Sequence, residues 1–305
     1  MVYPFGEGRQ RWIPYLLVIP GLLAYFIVAL GPSLATSVYS FTDASGIAGA
    51  PVNWIGLDNY DEFLFAGQAA RDNIDALERT IIFSIVVTIA QFGLGLLVAI
   101  LLNQGLPGTR FFRTLFFLPV ILGVVIQGLI WKLFLYPLGG PASQILDMFG
   151  MYSEFLGSQN AFWWVIFVQI WANMGITMII FIAGLQTIPL ELYEASQIDG
   201  ASGWENFRFI TWPLLTPSVN TNLLLNIIGS LQAWTLFLVL TGYRPGTQVL
   251  GYVIYAQGFG QTGGVNAASR QGFAAAASIV LFFLVLVVGL GTQYLLNRRE
   301  KEIMG

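Results

Sequence analysis

Asn222, Asn226 and Ser230 are spaced four residues apart in a stretch without a charged residue, and Gln232 and Trp234 follow them. At that spacing the three side chains share one face of a helix. Upstream, Gln169 and Asn173 lie one helical turn apart, with Trp171 between them. Amides and hydroxyls exchange hydrogen bonds with a neutral, hydroxyl-rich solute, and aromatic faces cover its apolar side. The competing reading is that each amide bonds a neighbouring helix, as is common inside membrane bundles. The row argues for a pathway better than any single member does. Gln91 and Gln127 stand alone in their own apolar stretches and read as interhelical contacts.

Most catalytic chemistry is missing. The 305 residues include no cysteine and no histidine, which excludes disulfides, thiol nucleophiles, Ser-His and Cys-His dyads, and metal sites built on those ligands. No catalytic residue and no metal site is expected. With 13 Lys and Arg against 16 Asp and Glu, there is no basic face for nucleic acid. A phosphate-cradling loop needs Gly-Lys followed by Ser or Thr. The two lysines, Lys132 in Trp131-Lys132-Leu133 and Lys301 in Glu300-Lys301-Glu302, do not fit it. The chain is therefore expected to carry no cofactor of its own.

The elements that hold the amides are membrane spans. Hydrophobic residues make up 56% of the chain and charged ones 10%, with a mean hydropathy of +0.72, whereas soluble domains carry roughly 25% charged residues. Six stretches are long enough to cross a bilayer: 12–41, 80–102, 114–136, 161–187, 214–241 and 273–297. The first is longer than the core of a cleaved signal peptide and reads as a retained span. Residues 1–305 thus form a single all-α membrane domain, a bundle of six transmembrane helices. Lys132 is the only charge inside a span and reads as an anchor snorkelling to the headgroups. Ion-coupled transport, which usually needs ionisable groups in the bilayer, loses ground accordingly. Trp12, Trp54, Trp131, Trp163 and Trp164 suit an interfacial belt, and Gly93, Gly95, Gly289 and Gly291 suit close helix contact.

Positive charge near the span ends sets orientation. Arg9, Arg11, Arg110, Arg113, Arg208, Arg298, Arg299 and Lys301 outnumber Arg71, Arg79, Arg244 and Arg270 on the opposite side. Both termini, the turn 103–113 and the loop 188–213 are then cytoplasmic, while 42–79, 137–160 and 242–272 face outward. Within the second outer loop, 141–155 reads equally well as a helix on the bilayer surface or as an ordered cap.

The loop 188–213 has its own local code. Pro189 suits a first helical turn, Gly200 suits a left-handed helix end, and Ser202 with Glu205 forms a capping box for a second helix that stops by Pro213. The spacing predicts a helix-turn-helix in water, with exposed Glu194 beside apolar Tyr193, Trp204, Phe207 and Phe209. Such a surface invites a protein partner.

The run Glu194-Ala195-Ser196-Gln197-Ile198-Asp199-Gly200-Ala201, followed by Phe207, Ile210 and Pro213, resembles the EAA loop of permease subunits of binding-protein-dependent ABC importers. Ser196 and Trp212 replace the family's second alanine and its leucine. Further segments are similar to the carbohydrate permeases of the maltose and multiple-sugar type: Pro32, Ser40–Asp43, Gly56–Tyr60, Phe111–Arg113, Phe117–Pro119, Gly128–Trp131 and 240–247, where Tyr243 and Arg244 depart from the family's glycines. The resemblance implies a coupling helix seated on a cytoplasmic ATPase that binds ATP and Mg, with Glu194 engaging a basic group there. It also implies a second related permease subunit, two copies of the ATPase, and an extracytoplasmic solute-binding protein. The chain would then supply half of a sugar pathway in a bacterial or archaeal inner membrane. A permease for a polyol-like solute such as glycerol phosphate is the nearest rival, and an ATP-independent channel, membrane enzyme or scaffold is the rival from another class.

Overall fold

The computed structural model describes residues 13–47, 49–105, 107–152, 154–242, 244, 246–262, 265–266 and 269–304. Arg9, Arg11, Trp12 and Tyr243 lie outside the described residues. The chain opens with α1 (Ile13–Tyr25), a π-helical turn (Phe26–Leu30) and α2 (Gly31–Tyr39), which bury no side chain between Tyr15 and Tyr39. A second π-helical turn occurs at Phe207–Thr211. Each π turn ends two residues before a proline, Pro32 and Pro213. A proline ring in an α-helix collides with the carbonyl four residues earlier. The wider turn moves that carbonyl aside, and Gly31 and Trp212 bond back five residues, to the carbonyls of Phe26 and Phe207.

After α2 the chain turns through Phe41–Trp54 into α3 (Asp58–Phe65). The amide of Asn59 donates to the carbonyls of Ser40 and Thr42, both at 2.9 Å, and Tyr60 Oη meets Ser40 Oγ at 2.8 Å. The two sequence segments 40–43 and 56–60 are therefore one locked corner. Trp54 stacks on Phe41 with ring centroids 5.4 Å apart. The next helix, α4 (Gly67–Leu102), has 36 residues and is about 54 Å long at 1.5 Å per residue, so it projects well beyond a ~30 Å hydrocarbon core. Part of the expected outer loop 42–79 is thus helical.

The expected third span is broken. α5 (Thr109–Ile121) and α6 (Val124–Phe134) meet at 100° across Leu122 and Gly123. Pro119 weakens the helix there, and the break frees carbonyls at membrane depth, where water cannot pair them. Gln127 supplies the remedy: its Nε2 donates to Pro119 O at 2.8 Å and Leu122 O at 2.9 Å. It joins the two helices of this bent pair and not two separate long helices. Gln127→Leu should leave Leu122 O without its donor, while Pro119 O keeps the Leu122 N–H at 3.1 Å, at a cost of about 1–3 kcal/mol. Thermal unfolding in detergent should show a clear fall in Tm, and an unchanged Tm would remove this role.

Beyond the short α7 (Pro141–Asp147), which carries exposed Ile145 and is followed by exposed Met148 and Phe149, comes α8 (Ala161–Gln186). Then follow α9 (Leu190–Ile198), α10 (Gly203–Asn206), the second π turn, α11 (Trp212–Leu214), α12 (Thr216–Leu231) and α13 (Thr235–Leu240). After α14 (Leu250–Phe259), β1 (Gln261–Thr262) and β2 (Val265–Asn266) pair antiparallel, and α15 (Gln271–Met304) closes the chain. That hairpin is a small departure from an all-α architecture.

Among the described residues, four helical spans are long and apolar enough to cross a membrane: Tyr15–Tyr39, Gly67–Leu102, Ala161–Gln186 and Gln271–Arg299; the number is five if the bent pair α5–α6 counts as one span. The expected fifth span, 214–241, does not form one straight helix: α12 has 16 residues and stops before Gln232. Gly229 and Ser230 precede the stop. Glycine lowers helix propensity, and Ser230 Oγ turns back to Ile227 O at 3.0 Å.

The core lies where α4, α8 and α12 pack together. Val98, Ala99, Met178, Phe181, Ile182, Leu185, Leu215 and Val219 form one buried cluster, and Phe83, Val87, Val165, Val168, Leu236 and Phe237 belong to a second. Gly95 permits the close approach of α4 to α8, because a Cβ there would lie 2.5 Å from Thr177 Cγ2.

Candidate functional site

The loop between α8 and α12 is a helix-turn-helix built from local chemistry. Gly200 has φ +75°, and the bonds from Gly200 N to Gln197 O (3.1 Å) and Ala201 N to Ser196 O (2.9 Å) end α9 as a glycine cap. At the start of α10, Glu205 N donates to Ser202 Oγ at 3.3 Å, while Ser202 N and Oγ both reach the Glu205 carboxylate at 2.7 Å. The Ser202 hydroxyl first, and then its backbone N–H, hold the Glu205 pKa below the ordinary glutamate value. Contrary to expectation, the second helix does not stop by Pro213. The π turn carries the chain past Pro213 through α11, and a single turn residue, Leu215, leads into α12.

The loop's aromatic residues divide between core and solvent. Tyr193 packs on the core cluster around Phe181, and its hydroxyl meets Thr211 Oγ1 at 2.9 Å, tying α9 to the π turn. Phe207 is half-buried against Trp204, with centroids 5.6 Å apart. The exposed apolar face is instead Leu190, Leu192, Ile198 (88% exposed), Trp204 and Phe209. Glu194, Ala195, Asp199 and Gly200 are also exposed, whereas Ser196, Ala201, Ile210 and Pro213 are half-buried. The Arg299 guanidinium lies 5.4 Å over the Trp212 ring, so the end of α15 meets the loop's exit.

The expected amide row shares one face, and that face is turned against α4 and α8. Asn222 Nδ2 donates to Thr177 O at 3.4 Å, Asn226 pairs with Thr177 Oγ1 at 3.3 Å, and Ser230 Oγ meets Ser84 Oγ at 2.7 Å. A second, smaller seam runs through the backbone of Gln169: its carbonyl accepts from Gln91 Nε2 of α4 at 2.9 Å and, within α8, from Asn173 Nδ2 at 3.2 Å. Asn222, Asn226, Ser230 and Gln91 thus tie helices together in this conformation, whereas the Asn173 bond stays within α8.

Gln232 and Trp234, in the break between α12 and α13, lie elsewhere. They line an open cavity of about 680 Å³ between α2, α14 and α15. Trp234 stacks on Tyr255 with centroids 4.6 Å apart and planes 23° apart, and Phe259 continues the aromatic wall. Thr36, Tyr39, Gln271 and Ser278 add polar groups, and no described lining residue is charged. Non-helical backbone at membrane depth is tolerated where it lines such a cavity. Tyr255 and Phe259 did not figure among the expected site residues. Their signal was the i, i+4, i+8 series Gly251, Tyr255, Phe259, in which Gly251 leaves room for Trp234: a Cβ at 251 would lie 3.1 Å from Trp234 Cβ.

The sequence profile described as "Binding-protein-dependent transport system inner membrane component" matches residues 63–302. The chain belongs to that family. This permease is 30% identical to the probable starch degradation products transport system permease protein AmyD of Thermoanaerobacterium thermosulfurigenes, over 98% of both chains. It is also 30% identical to the sn-glycerol-3-phosphate transport system permease protein UgpA of Agrobacterium fabrum, over 92% of each. The permease fold matches a chain in the crystal structure of a bacterial ABC transporter involved in the import of the acidic polysaccharide alginate, with a TM-score of 0.81 at 24% identity, over 95% of this chain and 96% of that one.

Proposed function

We propose that this permease forms half of the pathway through which an ATP-driven importer moves a neutral sugar or oligosaccharide by alternating access. The observation that carries the substrate class is the cavity at Gln232 and Trp234, walled by stacked rings and small polar groups without a charged residue among its described lining. A polyol phosphate would place a dianion against these rings, which is costly without a cationic partner. Gln169, Asn173, Asn226 and Ser230 belong to the same reading as groups that meet the solute as the helices move.

The helix-turn-helix is the coupling element. Its exposed Ile198, Trp204 and Phe209 suit a groove on a separate ATPase carrying ATP and Mg, where Glu194 meets a basic group. Ala195, Ser196, Asp199, Gly200 and Ala201 shape the first helix and its turn, and Phe207, Ile210 and Pro213 brace the second. The bent pair α5–α6 and the broken pair α12–α13 each serve as one span, giving six crossings and cytoplasmic termini. A second related permease, two ATPase copies and an extracytoplasmic binding protein complete the assembly. The test is ATP-driven uptake by the reconstituted complex: neutral oligosaccharides should compete with one another for uptake, and glycerol phosphate should not. Strong competition by the phosphate ester would overturn the substrate class.

A further inference from the structure

A second pocket lies at the opposite end of α4 from its charged first turns, and its chemistry differs from that of the aromatic cavity. Leu102, Asn103, Gly105, Arg110, Arg113 and Gln186 are among the residues enclosing this open space of about 450 Å³. It is formed by the last residues of α4, the first turns of α5 and the last residue of α8. Two arginines and no carboxylate are among its described lining residues. Arg113 is partly committed, since its Nη2 donates to Leu102 O at 3.3 Å, which fixes the guanidinium across the turn. Its Nε is closed off from the pocket and has no hydrogen-bond partner among the described residues. Arg110 is exposed and makes no salt bridge among the described residues.

A guanidinium held by the Leu102 carbonyl and set beside a second, exposed arginine suits a phosphate oxygen acceptor. The setting favours one source of phosphate. The pocket is at the ends of two membrane-crossing helices, and Leu101, Phe111 and Phe112 around it are 47%, 66% and 45% exposed, as a surface meeting lipid would be. We infer that this pocket binds the phosphate of an anionic phospholipid headgroup in the cytoplasmic leaflet. The leaflet assignment rests on the orientation proposed above; the phosphate chemistry does not. Because Gln186 ends α8 immediately before the helix-turn-helix, an occupied pocket ties α4, α5 and α8 together at the root of that loop.

The test uses the purified complex and reads its melting temperature against added lipid, with phosphatidylglycerol, phosphatidylcholine and inorganic phosphate as separate probes. Phosphatidylglycerol should stabilise the complex at concentrations where the other two do not. Arg110→Gln removes no side-chain hydrogen bond or salt bridge among the described residues and should weaken the apparent affinity about fivefold, as expected for ~1 kcal/mol per arginine near an anionic surface. Arg113→Lys, which keeps the charge but loses the fork, should weaken it as well. Equal responses to the two lipids, or wild-type affinity in both variants, would overturn the proposal. Stabilisation by inorganic phosphate alone would assign the pocket to a soluble anion instead. Loss of the ATPase from the Arg110→Gln complex, with no lipid preference in the wild type, would assign it to a carboxylate of that partner.

Discussion

Gly200→Pro is expected to lower ATP-driven uptake by about a hundredfold while leaving the membrane helices folded. The native φ of +75° is incompatible with the fixed φ of proline near −65°, and the bond from Gly200 N to Gln197 O is lost with the N–H. Proline in the wrong conformation costs about 3 kcal/mol, which corresponds to roughly two decades in the population of the native turn. Gly200→Ala is a graded control. Nothing lies within 4 Å of a Cβ at that position, so only the left-handed backbone resists it, at about 1–2 kcal/mol. Ile198→Asp separates docking from folding, because Ile198 is 88% exposed and belongs to no core cluster. It should reduce uptake and ATPase recovery with no change in Tm. Normal uptake by both Gly200→Pro and Ile198→Asp would remove the coupling role from this loop.

Trp234→Ala is expected to raise the half-saturating sugar concentration about tenfold, and Tyr255→Ala should do nearly as much. The two rings stack 4.6 Å apart, and each holds the other in the cavity wall. Removing one loses the face that would cover the sugar and the ~0.5–1.5 kcal/mol of pairing that keeps the second ring in place. Their sum approaches the ~1.4 kcal/mol that equals a factor of ten. Tyr255→Phe keeps the face and should retain most transport. Tyr255 lies in α14 and belongs to neither core cluster, whereas half-buried Trp234 also packs on the cluster around Phe83 and Phe237, so the Tm of Trp234→Ala must be read beside its uptake to separate lost packing from lost binding. Unchanged uptake kinetics in both alanine variants would detach this cavity from the pathway.

How much of this could be read from the sequence depended on how local the cause was. The turn at Gly200 and the cap at Ser202–Glu205 form as their residue types require, because all their partners lie within a few positions. Long apolar runs gave the helices α4, α8 and α15. The same runs could not reveal the 100° bend at Leu122–Gly123 or the stop at Gln232, because hydropathy is blind to direction. Pro119 and Gly229–Ser230 were the local warnings. The amide row in α12 was legible as a face, but only tertiary packing decides that this face meets Thr177 and Ser84. The ten-residue helix α14 is too short to register as a span and lies within a stretch expected to be an outer loop, so its aromatic wall was missed. Tyr193 and Phe207 turned inward for a similar reason: apolar residues on a short amphipathic loop can face either the bundle or solvent, and only the contacts with Thr211 and Trp212 decide it.

The most direct measurement is to isolate this permease gently from its membrane by a terminal tag, identify its companions by mass spectrometry, and assay sugar uptake by the recovered assembly with and without ATP. Co-isolation of an ATPase and a second permease, with uptake that requires ATP and is lost on Gly200→Pro, is the predicted result. Recovery of the chain alone, with uptake that persists without ATP, would contradict the account and point to a passive pore.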